Sequence, residues 1–199
     1  MDEKGFPLGQ GLKAKVICSR VRTNPHYTLD GNHEIVTVIE CIAADGRVIQ
    51  PMYIYKESRH LLGWHAGVQD KEQATFAWST KGWTDNELGL KWVEQNFEQY
   101  TIKMFVPWDW SAAQADYYSA KGKPVILILD GHGSYLTWRF FDFCLTRNIH
   151  PICLPADSTH ILQPLDVGLF GPSLRCRNNE LDIWVKKGGN AIKTRQVYK

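Results

Sequence analysis

Hydrophobic positions change their spacing twice along the chain. Between Glu34 and Ala43 (EIVTVIECIA) they run together in a β-branched stretch, and from Val48 to Lys56 (VIQPMYIYK) they resume. Ala44-Asp45-Gly46-Arg47 separates the two. Two β-forming stretches around an Asp-Gly pair predict an antiparallel hairpin. Pro51 has no amide hydrogen to give a neighbouring strand, so its strand is expected at an edge or to carry a bulge there. Ala14 to Ser19 reads as a short apolar run, and Ala74 to Ser79 allows a further strand. After residue 83 the period lengthens. Thr84-Asp85-Asn86-Glu87 has the T-x-x-E form of a capping box, with acids suited to the positive end of a helix. Leu88, Trp92, Val93, Phe97 and Tyr100 then recur near one helical face. Residues 101–123, which include FVPWDWSAAQADYYSAKGK, show no clean period.

The second half alternates between the two patterns. Val125 to Leu129 is a continuous apolar run between Pro124 and Gly131, the form of a strand buried on both faces. Leu136 to Arg147 predicts a helix with Leu136, Phe140, Phe141 and Cys144 on one side. Pro151 to Leu154 predicts a short strand, and a helix is expected from about Gln163. A hairpin followed by strand, helix, strand, helix predicts an α/β fold, a mixed sheet with helices packed on it. That order is compatible with a ribonuclease-H-like fold.

Composition narrows the class. The 199 residues suffice for one domain with a sizeable core, and 44% hydrophobic with 22% charged residues is ordinary for a globular protein. No apolar run approaches the roughly 18–20 residues of a membrane span, and MDEKGFPLGQG lacks the form of a signal peptide. The five cysteines, Cys18, Cys41, Cys144, Cys153 and Cys176, form no C-x-x-C pair and read as buried free thiols in a reducing compartment. Net charge is +2, but it is unevenly spread: seven Lys/Arg against Glu180 and Asp182 give Arg175 to Lys199 a charge of +5, leaving −3 for the rest. A basic tail behind an acidic body suits contact with a phosphate backbone, or is simply a solvated, frayed helix.

Three aspartates stand out by context. Asp130 ends the apolar strand in VILILDGHGSY, Asp166 lies in HILQPLDVGLFGP, and Asp2 in MDEKGF. Ligands of open α/β sheets gather at the carboxyl ends of strands, where Asp130 stands. Phosphodiester chemistry wants hard divalent cations about 3.5–4 Å apart, and these take oxygen ligands converging from separate elements. Taken singly, Asp130 is a turn or cap residue, Asp166 a first-turn helical acid, and Asp2 a solvated terminal residue. The 35 residues between Asp130 and Asp166 favour the joint reading, because a strand-helix-strand-helix unit fits there and can return the second acid beside the first.

Other chemistries fit less well. GHGS is not a nucleophile elbow, since positions 132 and 136 are His and Leu, and there is no Walker loop. His132 could orient an acid or contact phosphate, or serve as a turn's hydrogen-bond partner; His160 lies nearby in sequence. The eight tryptophans could stack on bases, or fill the core and helix faces.

DEKGF, LDGHGS, CLPADSTHILQPLDVGLFGP and the 35-residue spacing together resemble the catalytic domain of pogo-type transposases. These belong to the DDE endonuclease superfamily shared by Tigger elements, fungal Fot-like elements and centromere protein B, and KGWTDNELGLKW is similar to the fungal members. The resemblance covers essentially the whole chain. It implies a ribonuclease-H-like fold and DNA cleavage and strand transfer. It implies Mg²⁺ or Mn²⁺ held by Asp2, Asp130 and Asp166 as first, second and third acids. It also implies DNA as partner, no membrane, and the nucleus as compartment, and it allows a homodimer. Residues 1–175 would form the catalytic domain and 176–199 a basic helix or tail.

The sequence departs from that family in places. The chain begins one residue before Asp2, so the strand that should support the first acid is expected to be truncated and the terminus frayed. Tyr135 stands where the family usually has His, and Ala156-Asp157 where it often has Pro-His. Asp157 adds a carboxylate that could repel DNA phosphate or disturb the other acids. The helix-turn-helix region that recognises element ends is expected to be absent from this chain. These departures keep two further readings open: a degenerate or domesticated relative that binds nucleic acid without cutting it, and an unrelated α/β binding domain.

Overall fold

The computed structural model describes residues 1–7, 35–57, 59, 74–101, 124–131, 133–155 and 158–187. The run Ala14 to Ser19, residues 102–123, His132, Ala156 and Asp157 lie outside these residues, as do Cys18, Trp64, Trp108, Trp110 and the basic residues beyond Lys187.

The predicted hairpin forms. Strands β2 (Ile35–Ile42) and β3 (Val48–Lys56) pair antiparallel. Gly46 turns the chain at φ +86°, a conformation that costs glycine nothing, and the Ala43 amide donates to the Arg47 carbonyl across the turn (2.8 Å). β3 is flanked on both sides, so Pro51 is not at an edge. It sits in a bulge: the register shifts between Ile39 and Cys41, opposite Ile49 to Met52. Asn96 fastens this bulge, donating to the Gln50 carbonyl (2.9 Å) and to the Thr75 hydroxyl (2.8 Å). Outside the hairpin, β1 (Asp2–Pro7) pairs antiparallel with β2, and β4 (Thr75–Ser79) pairs parallel with β3.

Helix α1 (Asn86–Trp92) runs on into a π-helical turn at Val93–Glu98. The expected capping box is replaced by a simpler cap one residue later. Asp85, in extended backbone, accepts from the Glu87 and Leu88 amides (3.1 and 2.9 Å), so Thr84 is left outside the cap. A carboxylate makes a charge-assisted bond to those amides that a neutral hydroxyl does not. Leu88, Trp92, Val93 and Phe97 are buried as the spacing predicts.

The second unit is two parallel strands, β5 (Val125–Leu129) and β6 (Ile149–Cys153), linked through α2 (Trp138–Thr146). β5 is not buried on both faces. Leu127 and Leu129 are buried, whereas Ile126 and Ile128 are exposed, so the apolar run is one-sided. α2 begins at its cap Thr137, and Leu136, expected on the buried side, is exposed while Phe140 and Cys144 are buried. Cys41 and Cys144 are buried free thiols; Cys153 and Cys176 are free but exposed, against expectation. Past β6 come the short α3 (Thr159–Leu162), a π-helical turn at Leu165–Leu169 and the long α4 (Phe170–Lys186).

The amino group of Met1 donates to the Ile128 carbonyl (2.8 Å), which sets β1 against β5. The strands thus succeed one another as β4-β3-β2-β1 and β5-β6, of mixed direction and flanked by helices. This is the mixed α/β arrangement expected of a ribonuclease-H-like domain. The core lies between the sheet and α1 and α2, built from Ile39, Met52, Ile54, Trp92, Val93, Leu127, Leu129, Tyr135, Phe140 and Ile149.

Candidate functional site

Side chains on a strand alternate, so β1 presents Asp2, Lys4 and Phe6 to one side and Glu3 and Gly5 to the other. The Glu3 and Gly5 side meets the core elements. Tyr135, on a 3₁₀ turn (Gly133–Tyr135) just beyond Asp130, is fully buried and donates its hydroxyl to the Glu3 carboxylate (3.1 Å). Burial pushes the Tyr135 hydroxyl well above its ordinary range, so it stays a donor. At Gly5 a Cβ would come within 2.9 Å of the Trp83 ring, so a larger residue there would have to push that ring aside.

The other side carries Asp2 and Lys4. Asp2 is 5% exposed and heads β1, opposite Glu40 of β2, so it is not frayed. Its Oδ1 accepts from the Glu3 amide (2.8 Å), while its Oδ2 is buried without a hydrogen-bond partner among the described residues. Burial raises the Asp2 carboxyl from its ordinary 3.8 to about 7; the charge of Asp166 and, less strongly, that of Asp130 push it the same way. The three acids come from three elements: the head of β1, the end of β5 and the π-helical turn before α4. Asp166 is partly exposed and its Oδ1 lies 3.0 Å from the Lys4 ammonium. Asp130, half-buried, follows the last residue of β5.

Three residues that sequence reasoning passed over shape this region. Gln163 is 1% exposed and donates to the Met1 carbonyl (3.0 Å), tying the segment before Asp166 to β1. Glu40 is a half-buried acid whose carboxyl burial pushes up; it stands out as the one charged residue within β2. Lys4 is two residues from Asp2, the interval that puts strand residues on one face.

The donor chemistry suits a hard divalent cation in part. Asp2 offers an orphaned buried oxygen, and carboxylates are what magnesium and manganese take. As the side chains stand, however, no three His, Cys, Asp or Glu among the described residues lie close enough together to hold an ion, and Asp166 is held by Lys4. His160 is exposed on α3. Of the tryptophans, Trp92 is core, whereas Trp78, Trp83 and Trp138 are exposed.

A family model described as DDE superfamily endonuclease matches residues 32–190. A curated relative from Cochliobolus lunatus, named MFS-type transporter clz9, is 34% identical over 185 residues, covering 92% of this chain but 18% of the relative. The chain therefore spans less than a fifth of that relative's length. No solved structure gives a significant match. No helix among the described residues is long and apolar enough to cross a membrane. The chain belongs to the DDE superfamily of endonucleases.

Proposed function

We propose that this DDE-superfamily domain cleaves and joins DNA phosphodiester bonds as a pogo-type transposase does, with Asp2, Asp130 and Asp166 as the ligands of Mg²⁺ or Mn²⁺. The observation that carries the reading is the Asp2 oxygen buried without a hydrogen-bond partner among the described residues, on a strand that Lys4 and Met1 tie to Asp166 and Gln163. Such an oxygen is costly unless a cation or a proton satisfies it. A divalent cation, when bound, supplies Lewis-acid activation of an attacking oxygen and neutralises charge at the scissile phosphate.

The chain's own residues do the rest. The rigid pairing of β5 with β6 fixes the position of Asp130, and Gln163 fixes the approach of the Asp166 segment to β1. The basic run from Arg175 to Lys199 binds the DNA backbone by charge. With DNA as substrate, the working compartment is the nucleus. The transporter in the relative's name is not adopted for this chain. The match covers 18% of that protein, and the family model assigned to the matched stretch is an endonuclease.

The test is nicking of supercoiled plasmid in Mn²⁺. Asp130→Asn and Asp166→Asn are each expected to lower the rate by about 10² or more, the scale on which removing a group that stabilises transition-state charge acts. An unchanged rate in either variant sinks the assignment. One observation favours a second reading, a domesticated relative that binds nucleic acid without cutting: Asp166 is engaged by Lys4 rather than open to a cation. In that case a calorimetric Mn²⁺ titration shows no binding that Asp166→Asn abolishes, while DNA binding persists.

A further inference from the structure

Lys4 joins the first element of the fold to one of the last. Its ammonium lies 3.0 Å from Asp166 Oδ1 and 5.4 Å from the centroid of the Phe170 ring, so it bridges the third acid and the start of α4. The strand's alternation puts it on the same side as Asp2. Three features of this contact matter together. The ammonium sets a positive charge directly against the Asp166 carboxylate. The aromatic face beneath it favours a cation at that spot. And both partners are part-exposed, 36% for Lys4 and 29% for Asp166, so the ion pair is screened by water and weak enough to be exchanged.

We propose that Lys4 is a built-in placeholder for the metal, a positioning residue that holds Asp166 toward β1 when no cation is bound and releases it when one arrives. This rests on the reading of Asp166 as a metal ligand. Metal uptake is then a displacement rather than an addition: the Lys4–Asp166 contact breaks, the carboxylate turns to the cation, and the ammonium swings to solvent or to incoming phosphate. Lysine suits the role because its single flexible charge lets go. Arginine, with a planar fork that can grip a carboxylate at two points, does not.

The experiment pairs calorimetric Mn²⁺ titration with a double-mutant cycle of Lys4→Met and Asp166→Asn, read by urea denaturation in EDTA and in saturating Mn²⁺. Methionine keeps the length and the packing on Phe170 without the charge. Lys4→Met should bind Mn²⁺ about three- to tenfold more tightly than wild type, the scale of one partly exposed like charge, and Lys4→Arg more weakly. The cycle should show coupling between the two positions in EDTA and none in Mn²⁺. Wild-type Mn²⁺ affinity in Lys4→Met, or coupling that survives saturating Mn²⁺, overturns this inference while leaving the catalytic reading intact. A protein that takes up no Mn²⁺ overturns both, and coupling in EDTA then marks a purely structural ion pair. Should Lys4→Met fail to fold, Lys4→Gln carries the same comparison.

Discussion

The two sides of β1 belong to one six-residue strand and yet live in different chemistry. On the odd-numbered side, Glu3 is tied to a fully buried tyrosine, Gly5 lies against Trp83, and Met1 joins the main core. On the even-numbered side, Asp2 carries a buried oxygen without a partner and Lys4 reaches across to Asp166. The first side satisfies its polar groups within the protein. The second leaves an oxygen unsatisfied and concentrates negative charge, which costs stability and is what a cation-binding face requires. The contrast teaches where to look for function: the same strand is optimised on one face and held back on the other.

The largest effect should come from breaking the satisfied side. Phe140 is fully buried and packs on Tyr135, ring centroids 5.8 Å apart. Phe140→Ala should cost about 3–5 kcal/mol, at every pH and with or without divalent metal, measured by urea denaturation. If added Mn²⁺ changed that cost, the two sides would be coupled and the comparison would fail.

The next prediction tests the other side and has the opposite sign. The Asp2 carboxyl is raised from 3.8 to about 7 in the fold. Below about pH 3, well under its ordinary 3.8, it is protonated folded and unfolded alike, and burying it carries no charge penalty. As pH climbs from about 4 to 7 the unfolded chain gives up this proton more readily, so the folded state loses stability relative to it. Above pH 7 the full penalty stands. Asp2→Asn removes it. In EDTA the variant should be more stable than wild type at pH 8, by up to about 3 kcal/mol, and should match it only near about pH 3. Equal stabilities at pH 8 would mean that the carboxyl is not held at a cost. Saturating Mn²⁺ should narrow the gap, because wild type alone then gains a ligand for the orphaned oxygen.

How much of this was legible in advance depended on period and context. The hairpin, α2 and the β5-β6 pair followed from the spacing of apolar residues, and the bulge at Pro51 from the chemistry of proline. Asp130 and Asp166 drew notice because a carboxylate beside a greasy strand or an apolar helix needs a reason. Burial was harder. Val125 to Leu129 is all apolar, and composition cannot tell a strand covered on both faces from one with Ile126 and Ile128 left outside. The cap slipped by one residue because Thr84 and Asp85 are both cap formers, and only the local backbone decides which one accepts. Asp2 could not be separated from a frayed end by sequence, since it pairs opposite Glu40 and follows Met1, which is tied to Ile128 and Gln163, all remote along the chain. Lys4 and Gln163 were missed for the same reason: each acts across 162 residues of sequence.

A smaller change on the satisfied side measures how much its polar contact contributes. Tyr135→Phe keeps the ring in place and removes the donor to Glu3. The expected loss is about 1 kcal/mol, the net worth of one hydrogen bond, read from the urea midpoint at constant m-value. The loss should be the same at pH 5 and pH 8, because the tyrosine hydroxyl stays protonated throughout. A loss above about 3 kcal/mol would show that the bond holds β1 in place rather than merely satisfying Glu3, and the Asp2 side should then lose Mn²⁺ affinity too.

The smallest effect supplies the baseline for both sides. Arg139 at the start of α2 pairs with Glu87 at the start of α1 at 2.7 Å, with side chains 70% and 74% exposed. Water screens both charges, and holding two long side chains in one geometry consumes much of the attraction. Arg139→Ala should therefore change stability by less than about 0.5 kcal/mol, and by less still in high salt. This pair has a shorter N–O distance than Lys4–Asp166, so distance alone would rank it the stronger. Setting its coupling beside that of Lys4 and Asp166 under identical salt separates two explanations. A larger coupling at Lys4 means that the acid cluster and the aromatic face beneath the ammonium strengthen the contact. Equal couplings mean that it is an ordinary surface ion pair, and the difference between the sides of β1 rests on Asp2.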